Sequence, residues 1–290
     1  MNRNLLGGVE AGGTKMVCAV AYEPGKILDE TRFPTTSAEE TLMRVKRYFT
    51  SMSEQYGTLH AIGYGTFGPA GVNPSSADYG TILNTPKVGW KGVDLLDGAF
   101  PNTKFTLDTD VNAAALGEGY AGAAKGLENY IYVTVGTGIG GGVVIGGNPL
   151  KTQPHAEIGH MRIPPAAGEL MGFNGSCPFH GRCLEGLASG TALGARWGVS
   201  ARELTPDHAA WKLEAHYLAA MVQNLVACYA PEKIILGGGV MDQDFLLEML
   251  KADSEEMMAG YWQTSNDLLV SPQLGSKAGI TGALLMASSA

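Results

Sequence analysis

The stretches "LLGGVEAGGTKMVCAVAY" (residues 5–22) and "YIYVTVGTGIGGGVVIGG" (residues 130–147) share one design. In each, an apolar run that reads as a strand meets a glycine-rich turn, and a second apolar run leads away. The recurrence predicts two related lobes. The rest of the chain alternates in the same way. A helical pattern runs from about Ala38 to Gln55, and strands are expected at "HAIGYGTFG" (60–68) and "KFTLDTD" (104–110), followed by the helix-like "VNAAALGEGYAGAA" (111–124). Further on, helices are expected at about Glu185–Trp197 and Pro206–Tyr229, and the strand "KIILGGG" (233–239) leads into a helix from about Asp242. Strands alternating with helices define an α/β class with largely buried sheets.

Composition narrows the partners. The 290 residues are 45% hydrophobic, enough for two lobes with their own cores, and the formal charge of -8 lacks the basic footprint that nucleic acid or an anionic membrane requires. Small molecules are the expected partners. The start "MNRNLLGGVEAGGTK" lacks a signal-peptide core, and no run of about 18 apolar residues is free of glycine or charge. The expected location is the cytosol. There, Cys177, His180 and Cys183 in "CPFHGRC" (177–183) favour a metal over a disulfide, while Cys18 and Cys228 read as small buried hydrophobes.

Three glycine turns carry the first chemical signal. "EAGGTK" (10–15) and "GTGIG" (136–140) offer amides and a threonine hydroxyl suited to phosphate oxygens, and "LGGGVM" (236–241) closes a strand where a nucleotide can lie on backbone. Neither a Walker A motif nor GxGxxG is present. Asp110 carries the second signal. It ends a strand just before a helix, which suits either an N-cap or a carboxylate that takes a proton from an acceptor hydroxyl.

Taken together these segments resemble the ROK family of sugar kinases and repressors, in particular its fructokinase branch. "GGVEAGGTK" is similar to the family's first phosphate loop, "GTFGPAG" (65–71) to its sugar-side loop, and "TDVNAAALGE" (109–118) to its catalytic segment. "GTGIGGG" (136–142) matches the second phosphate loop, "HAEIGH" (155–160) with "CPFHGRCLEG" (177–186) the zinc and sugar segment, and "ILGGGVM" (235–241) the adenosine segment.

The resemblance implies a two-lobed ribonuclease-H-like (hexokinase/actin) fold with a central cleft that closes on the sugar. The lobes would be residues 1–115 and 116–290, with the last helix a candidate to return to the first lobe. It implies ATP with Mg²⁺, a hexose acceptor that is D-fructose in the first instance with mannose as a weaker one, and Asp110 as general base. Asn112, Glu157, His160, Glu185, Gly68 and Pro69 would serve the sugar. Gly12, Gly13, Thr14, Lys15, Thr137 and Gly138 would surround the phosphates, and Gly237, Gly238 and Gly239 the adenosine. His160 would join Cys177, His180 and Cys183 in a closed, structural zinc site that pins the loop "PPAAGELMGFNGSCP" (164–178). A homodimer is the expected assembly.

Some assignments stay open. Glu10 stands where many relatives carry aspartate, Lys15 suits either a phosphate ligand or a solvated turn, and His155 is left outside the site as a nearby polar residue. Glucokinase, N-acylhexosamine kinase and a silent sugar sensor are the alternative readings. A repressor would need a DNA-binding helical domain ahead of "GGVEAGGTK", where six residues stand, so an enzyme is expected.

Overall fold

The computed structural model describes residues 4–96, 100, 103–152 and 154–290. The first half contains β1 (Leu5–Ala11), β2 (Lys15–Ala21), β3 (Ile27–Pro34), α1 (Ala38–Tyr56), β4 (Leu59–Thr66), β5 (Lys104–Thr109) and α2 (Asp110–Ala121). Next come β6 (Tyr130–Val135), β7 (Ile139–Ile145), the two-residue β8 (Asn148–Pro149), α3 (Leu184–Ala188) and α4 (Gly190–Trp197). The chain ends with α5 (Ala210–Tyr229), β9 (Lys233–Gly237), α6 (Asp244–Met258), β10 (Leu269–Val270) and α7 (Ala278–Ser288). It divides into two compact units. One comprises Met1–Gly126, Gly147–Ala156 and Gln273–Ala290; the other, Leu127–Gly146 and Glu157–Pro272.

In the first unit the strands lie in the order β3-β2-β1-β4-β5, with β1 antiparallel to β2 and parallel to β4. The period-2 geometry of strands sorts the side chains into two cores. Leu5 and Val9 of β1 with Met16, Cys18 and Val20 of β2 pack with Val45, Phe49 and Met52 of α1. On the other face, Leu6, Val17, Ala19 and Ala21 pack with Ile280, Leu284 and Ala287 of α7. Gly7 and Gly8 serve one face each: a Cβ at Gly7 would lie 2.7 Å from the Phe49 ring, and one at Gly8 2.9 Å from Leu284. In the second unit the strands run β10-β9-β6-β7, with β6 antiparallel to β7 and parallel to β9, the pattern of β1 with β2 and β4.

Several expected boundaries shift for local reasons. The helix expected over Glu185–Trp197 is broken at Ser189, whose extended backbone lets its hydroxyl accept from Ala192 N at 3.1 Å and so start α4. The helix expected from Pro206 begins at Ala210, because Thr205–His208 forms a turn closed by the Thr205 hydroxyl on Asp207. Cys228 is exposed, contrary to the buried reading, since it lies in the last turn of α5 on the side away from the core; Cys18 is buried. The edge strand β3, rich in charge, was not anticipated. Among the described residues no helix is long and apolar enough to cross a membrane.

The helices α2 and α7 meet through small residues. A Cβ on Gly282 would fall 1.7 Å from the Ala113 carbonyl oxygen, and one on Gly117 2.1 Å from that of Ala278. At the far end of α2, the fully buried Glu118 accepts from Ala123 N (2.7 Å), Gln273 N (3.1 Å) and Leu274 N (2.9 Å), joining three segments of the unit. An alanine inside a helix ordinarily gains about 1 kcal/mol over glycine. Gly282→Ala is expected instead to lose about 2 kcal/mol by overpacking, whereas Gly194→Ala in α4, whose nearest neighbour would be 4.0 Å away, should be neutral or stabilising. Thermal melting of the two variants checks this.

Candidate active site and metal centre

The first glycine turn closes with Gly12 N donating to Lys15 O at 3.0 Å, and a Cβ on Gly12 would lie 2.9 Å from that oxygen. Its other carbonyls accept from residues outside the turn. The Thr35 hydroxyl donates to Gly12 O (2.7 Å), Thr35 N to Thr14 O (3.0 Å) and Lys87 Nζ to Gly13 O (2.6 Å). Gly13, Thr14 and Lys15 are left exposed. Lys87 belongs to no motif, so the sequence offered no signal for it. Glu10, two residues before Gly12, is half-buried with its carboxylate against Gly279 at the start of α7; desolvation raises its carboxyl above the ordinary range, with Lys15 and Arg32 opposing.

Asp110 is the first residue of α2, but the N-cap is Thr109, whose hydroxyl accepts from Asn112 N at 3.2 Å. Capping is therefore not what Asp110 supplies. Its Oδ1 accepts from Val111 N at 2.9 Å. Asn112 is 5% exposed and donates Nδ2 to Asp108 Oδ1 at 2.7 Å. Burial raises the Asp108 carboxyl despite that bond, and Lys151 Nζ stands 3.7 Å from its Oδ2. The Gly68–Pro69 peptide is cis, and the loop it belongs to is held by His155, whose Nε2 accepts from Ala70 N at 3.2 Å. That bond assigns the ring proton to Nδ1. His155, left outside the site on sequence, thus supports the "GTFGPAG" loop.

In the second unit, the "GTGIG" turn is held by the same device. Gly190 N donates to Gly136 O (2.7 Å) and the Thr191 hydroxyl to Thr137 O (2.7 Å). Glu185 of α3 accepts from Ile139 N at 3.0 Å, and a Cβ on Gly138 would lie 2.5 Å from its carboxylate. Gly237 ends β9. Gly238 has φ +93° and no room for a Cβ against Val135 N and O, and Gly239 is exposed. Val240 N donates to Val135 O. The "GGG" turn and the "GTGIG" turn therefore lie together at the carboxyl ends of the parallel strands β6 and β9, where open α/β sheets bind ligands. Glu157 is exposed, and the turn from it to His160 packs on β7, with Ile158 filling the space above Gly141 and Gly159 touching Ile139 O.

His160, Cys177, His180 and Cys183 converge, with all ligand atoms within 4.8 Å of one another. His160 Nδ1 is 3.5 Å from Cys183 Sγ and 3.8 Å from Cys177 Sγ, and His180 Nδ1 is 3.7 Å from Cys177 Sγ. Bonds of about 2.3 Å to sulfur and 2.1 Å to nitrogen make the N···S edge of a tetrahedron ~3.6 Å. The four residues fit a tetrahedral metal ion. Burial pushes the Cys183 thiol up to about 11, a penalty that a cation at the centre offsets by holding the thiolate.

A sequence profile of the ROK family matches residues 6–290. The chain belongs to the ROK family. A protein of Bacillus subtilis (strain 168) is 44% identical over 99% of this ROK chain and 96% of its own length. The fructokinase of Pediococcus pentosaceus is 42% identical, covering 99% of this chain and 98% of that one. Among solved structures, a ROK family glucokinase from Streptomyces griseus in complex with glucose and AMPPNP superposes with a TM-score of 0.79 at 28% identity, over 99% of this chain and 100% of that chain. The fold is accordingly the hexokinase/actin type expected from the six motifs.

Proposed function

We propose that this ROK protein transfers the γ-phosphoryl group of ATP to the 6-hydroxyl of a hexose, with D-fructose the preferred acceptor. One observation carries the reading: Asp110 is the first residue of α2, where Thr109 is the N-cap, in a chain 42% identical to a fructokinase and 28% identical to a glucokinase. The Asp110 carboxylate takes the hydroxyl proton as the sugar oxygen bonds to the γ-phosphorus, and the β–γ bridging oxygen leaves with ADP. The turns at Gly12–Lys15 and Thr137–Gly138 address the phosphates, and Gly237–Gly239 the adenosine. Gly68, Pro69, Asn112, Glu157, His160 and Glu185 are assigned to the sugar side. Mg²⁺ arriving with ATP supplies charge neutralisation on the phosphoryl oxygens. The family resemblance supports a homodimer and a cytosolic location.

The ion proposed for the Cys/His centre is Zn²⁺, on the ground of its two thiolates and two imidazoles in tetrahedral spacing. With four protein ligands it has no open position and acts on structure alone. His160 faces the centre through Nδ1, so with the ion held there Nε2 would carry the ring proton and would be the atom that donates to a sugar oxygen.

Asp110→Asn is expected to retain sugar and nucleotide binding while turnover falls by at least about a hundredfold. Calorimetry beside steady-state kinetics checks it, and near-normal turnover would place the base elsewhere. Cys183→Ala should remove about one zinc per chain by elemental analysis, lower the melting temperature and raise the sugar KM, because an unpinned loop must be reordered on binding. In a coupled ADP-release assay, kcat/KM for fructose should exceed that for glucose by more than about tenfold, since one unpaired buried polar group already costs about 1–3 kcal/mol. Mannose should be intermediate. Equal or better use of glucose would leave the hexose-kinase class standing and remove the fructose assignment.

A further inference from the structure

The helix α3, Leu184–Ala188, is five residues long, far below what holds a helix by itself. It nevertheless carries Glu185 and follows directly on Cys183. Its amino end is fixed by Leu184 N donating to Met161 O at 2.9 Å and by the metal-ligand position of Cys183. Its carbonyl end needs donors from elsewhere. Gly186 O accepts from Ser176 N at 2.9 Å, and Leu187 O accepts from Arg196 Nη2 at 2.7 Å.

Arg196 is itself held from three sides. Its Nε and Nη2 donate to Glu169 Oε1 (2.9 Å) and Oε2 (3.0 Å), a bidentate pair whose side chains are 0% and 5% exposed. The Tyr217 hydroxyl donates to Glu169 Oε2 at 2.8 Å and accepts from Ala166 N at 3.2 Å. Phe173 lies over the guanidinium, its ring centre 4.3 Å from Cζ. Glu169 and Phe173 belong to the loop between His160 and Cys177, so one side chain on α4 ties that loop to the carbonyl end of α3. A second carboxylate faces the same cation: Glu214 of α5 is fully buried with neither oxygen hydrogen-bonded, and its burial favours the neutral form. Arg196 and Glu169 are then left as a matched pair. Buried ion pairs contribute little net stability compared with apolar packing, but they hold geometry. Here the geometry is that of the carboxylate on Gly138 and Ile139.

We propose that Arg196 is a positioning residue for sugar binding, acting as the anchor of α3 opposite the metal centre and holding Glu185 in place through the Leu187 carbonyl, with Glu169 and Tyr217 orienting it. This rests on the reading that Glu185 binds the sugar, and the test separates the two. Glu169→Gln, Tyr217→Phe, Arg196→Lys and Glu185→Gln are compared with the parent for fructose KM, ATP KM, kcat, zinc content and amide hydrogen exchange over residues 184–188. The expected result is that Glu185→Gln, Glu169→Gln and Arg196→Lys each raise fructose KM, by about tenfold for Glu169→Gln. ATP KM should rise less, zinc should be retained, and exchange at α3 should speed up in the Glu169 and Arg196 variants. Tyr217→Phe should shift the same readouts by a smaller amount. If Arg196→Lys fails to fold, Glu169→Gln and Tyr217→Phe carry the comparison. The proposal is overturned if Glu185→Gln raises fructose KM while the folded Glu169 and Tyr217 variants leave both KM and α3 exchange unchanged. If Glu185→Gln itself leaves fructose KM unchanged, the sugar role of Glu185 fails first, and the positioning role falls with it.

Discussion

Five backbone carbonyls set the shape of the two glycine turns. A turn that receives a polyphosphate must not aim carbonyl oxygens at it, and yet a carbonyl turned inward needs a donor. Both turns meet the constraint with donors from neighbouring segments. Gly12, Gly13 and Thr14 give their oxygens to Thr35 and Lys87. Gly136 and Thr137 give theirs to Gly190 and Thr191 at the head of α4. With the acceptors occupied, Gly13, Thr14 and Thr137 are exposed, and what the turns can offer a ligand is amide and hydroxyl. The phosphate assignments of both turns depend on that arrangement.

The same economy of space explains where glycine is needed. In β1, Gly7 and Gly8 admit α1 and α7 to opposite faces of one strand. In β7, Gly141 makes room for Ile158 and so seats the turn that ends in His160. At Gly238 the demand is double, a positive φ and a backbone neighbour on β6, which no side chain could tolerate. Glycines placed at the ends of apolar runs thus do two jobs here, shaping ligand turns and letting elements approach, and composition alone does not tell them apart.

Legibility followed locality. The paired hairpins, the "TDVNAA" strand-to-helix step and the Cys/His knuckle are short-range patterns, and the structure shows β1/β2, β6/β7, β5/α2 and the four converging ligand atoms. What could not be read depends on partners distant in sequence. Lys87 reaches Gly13 across 74 residues, His155 reaches Ala70 across 85, and Glu118 reaches Leu274 across 156. The break at Ser189 was missed for the opposite reason: a serine followed by glycine is a local stop signal, but the apolar spacing on both sides kept a helical period. Thr109 is the instructive case. The sequence left Asp110 divided between cap and base, and only the hydroxyl contact to Asn112 N assigns the cap to its neighbour.

The two roles proposed for His160, metal ligand and sugar donor, fall to different nitrogens of one ring. Its Nδ1 lies within 3.8 Å of both cysteine sulfurs, so a metal there takes the lone pair of that nitrogen. With a metal held there, the ring proton would be confined to Nε2, on the other side of the ring. An unligated histidine would divide its time between tautomers and charge states near neutrality, and would meet a hydroxyl as donor or acceptor indifferently. In the proposed reading, ligation would make it a fixed donor whose direction is set by the knuckle, so that the metal centre would order the sugar side through structure alone, without an open coordination position.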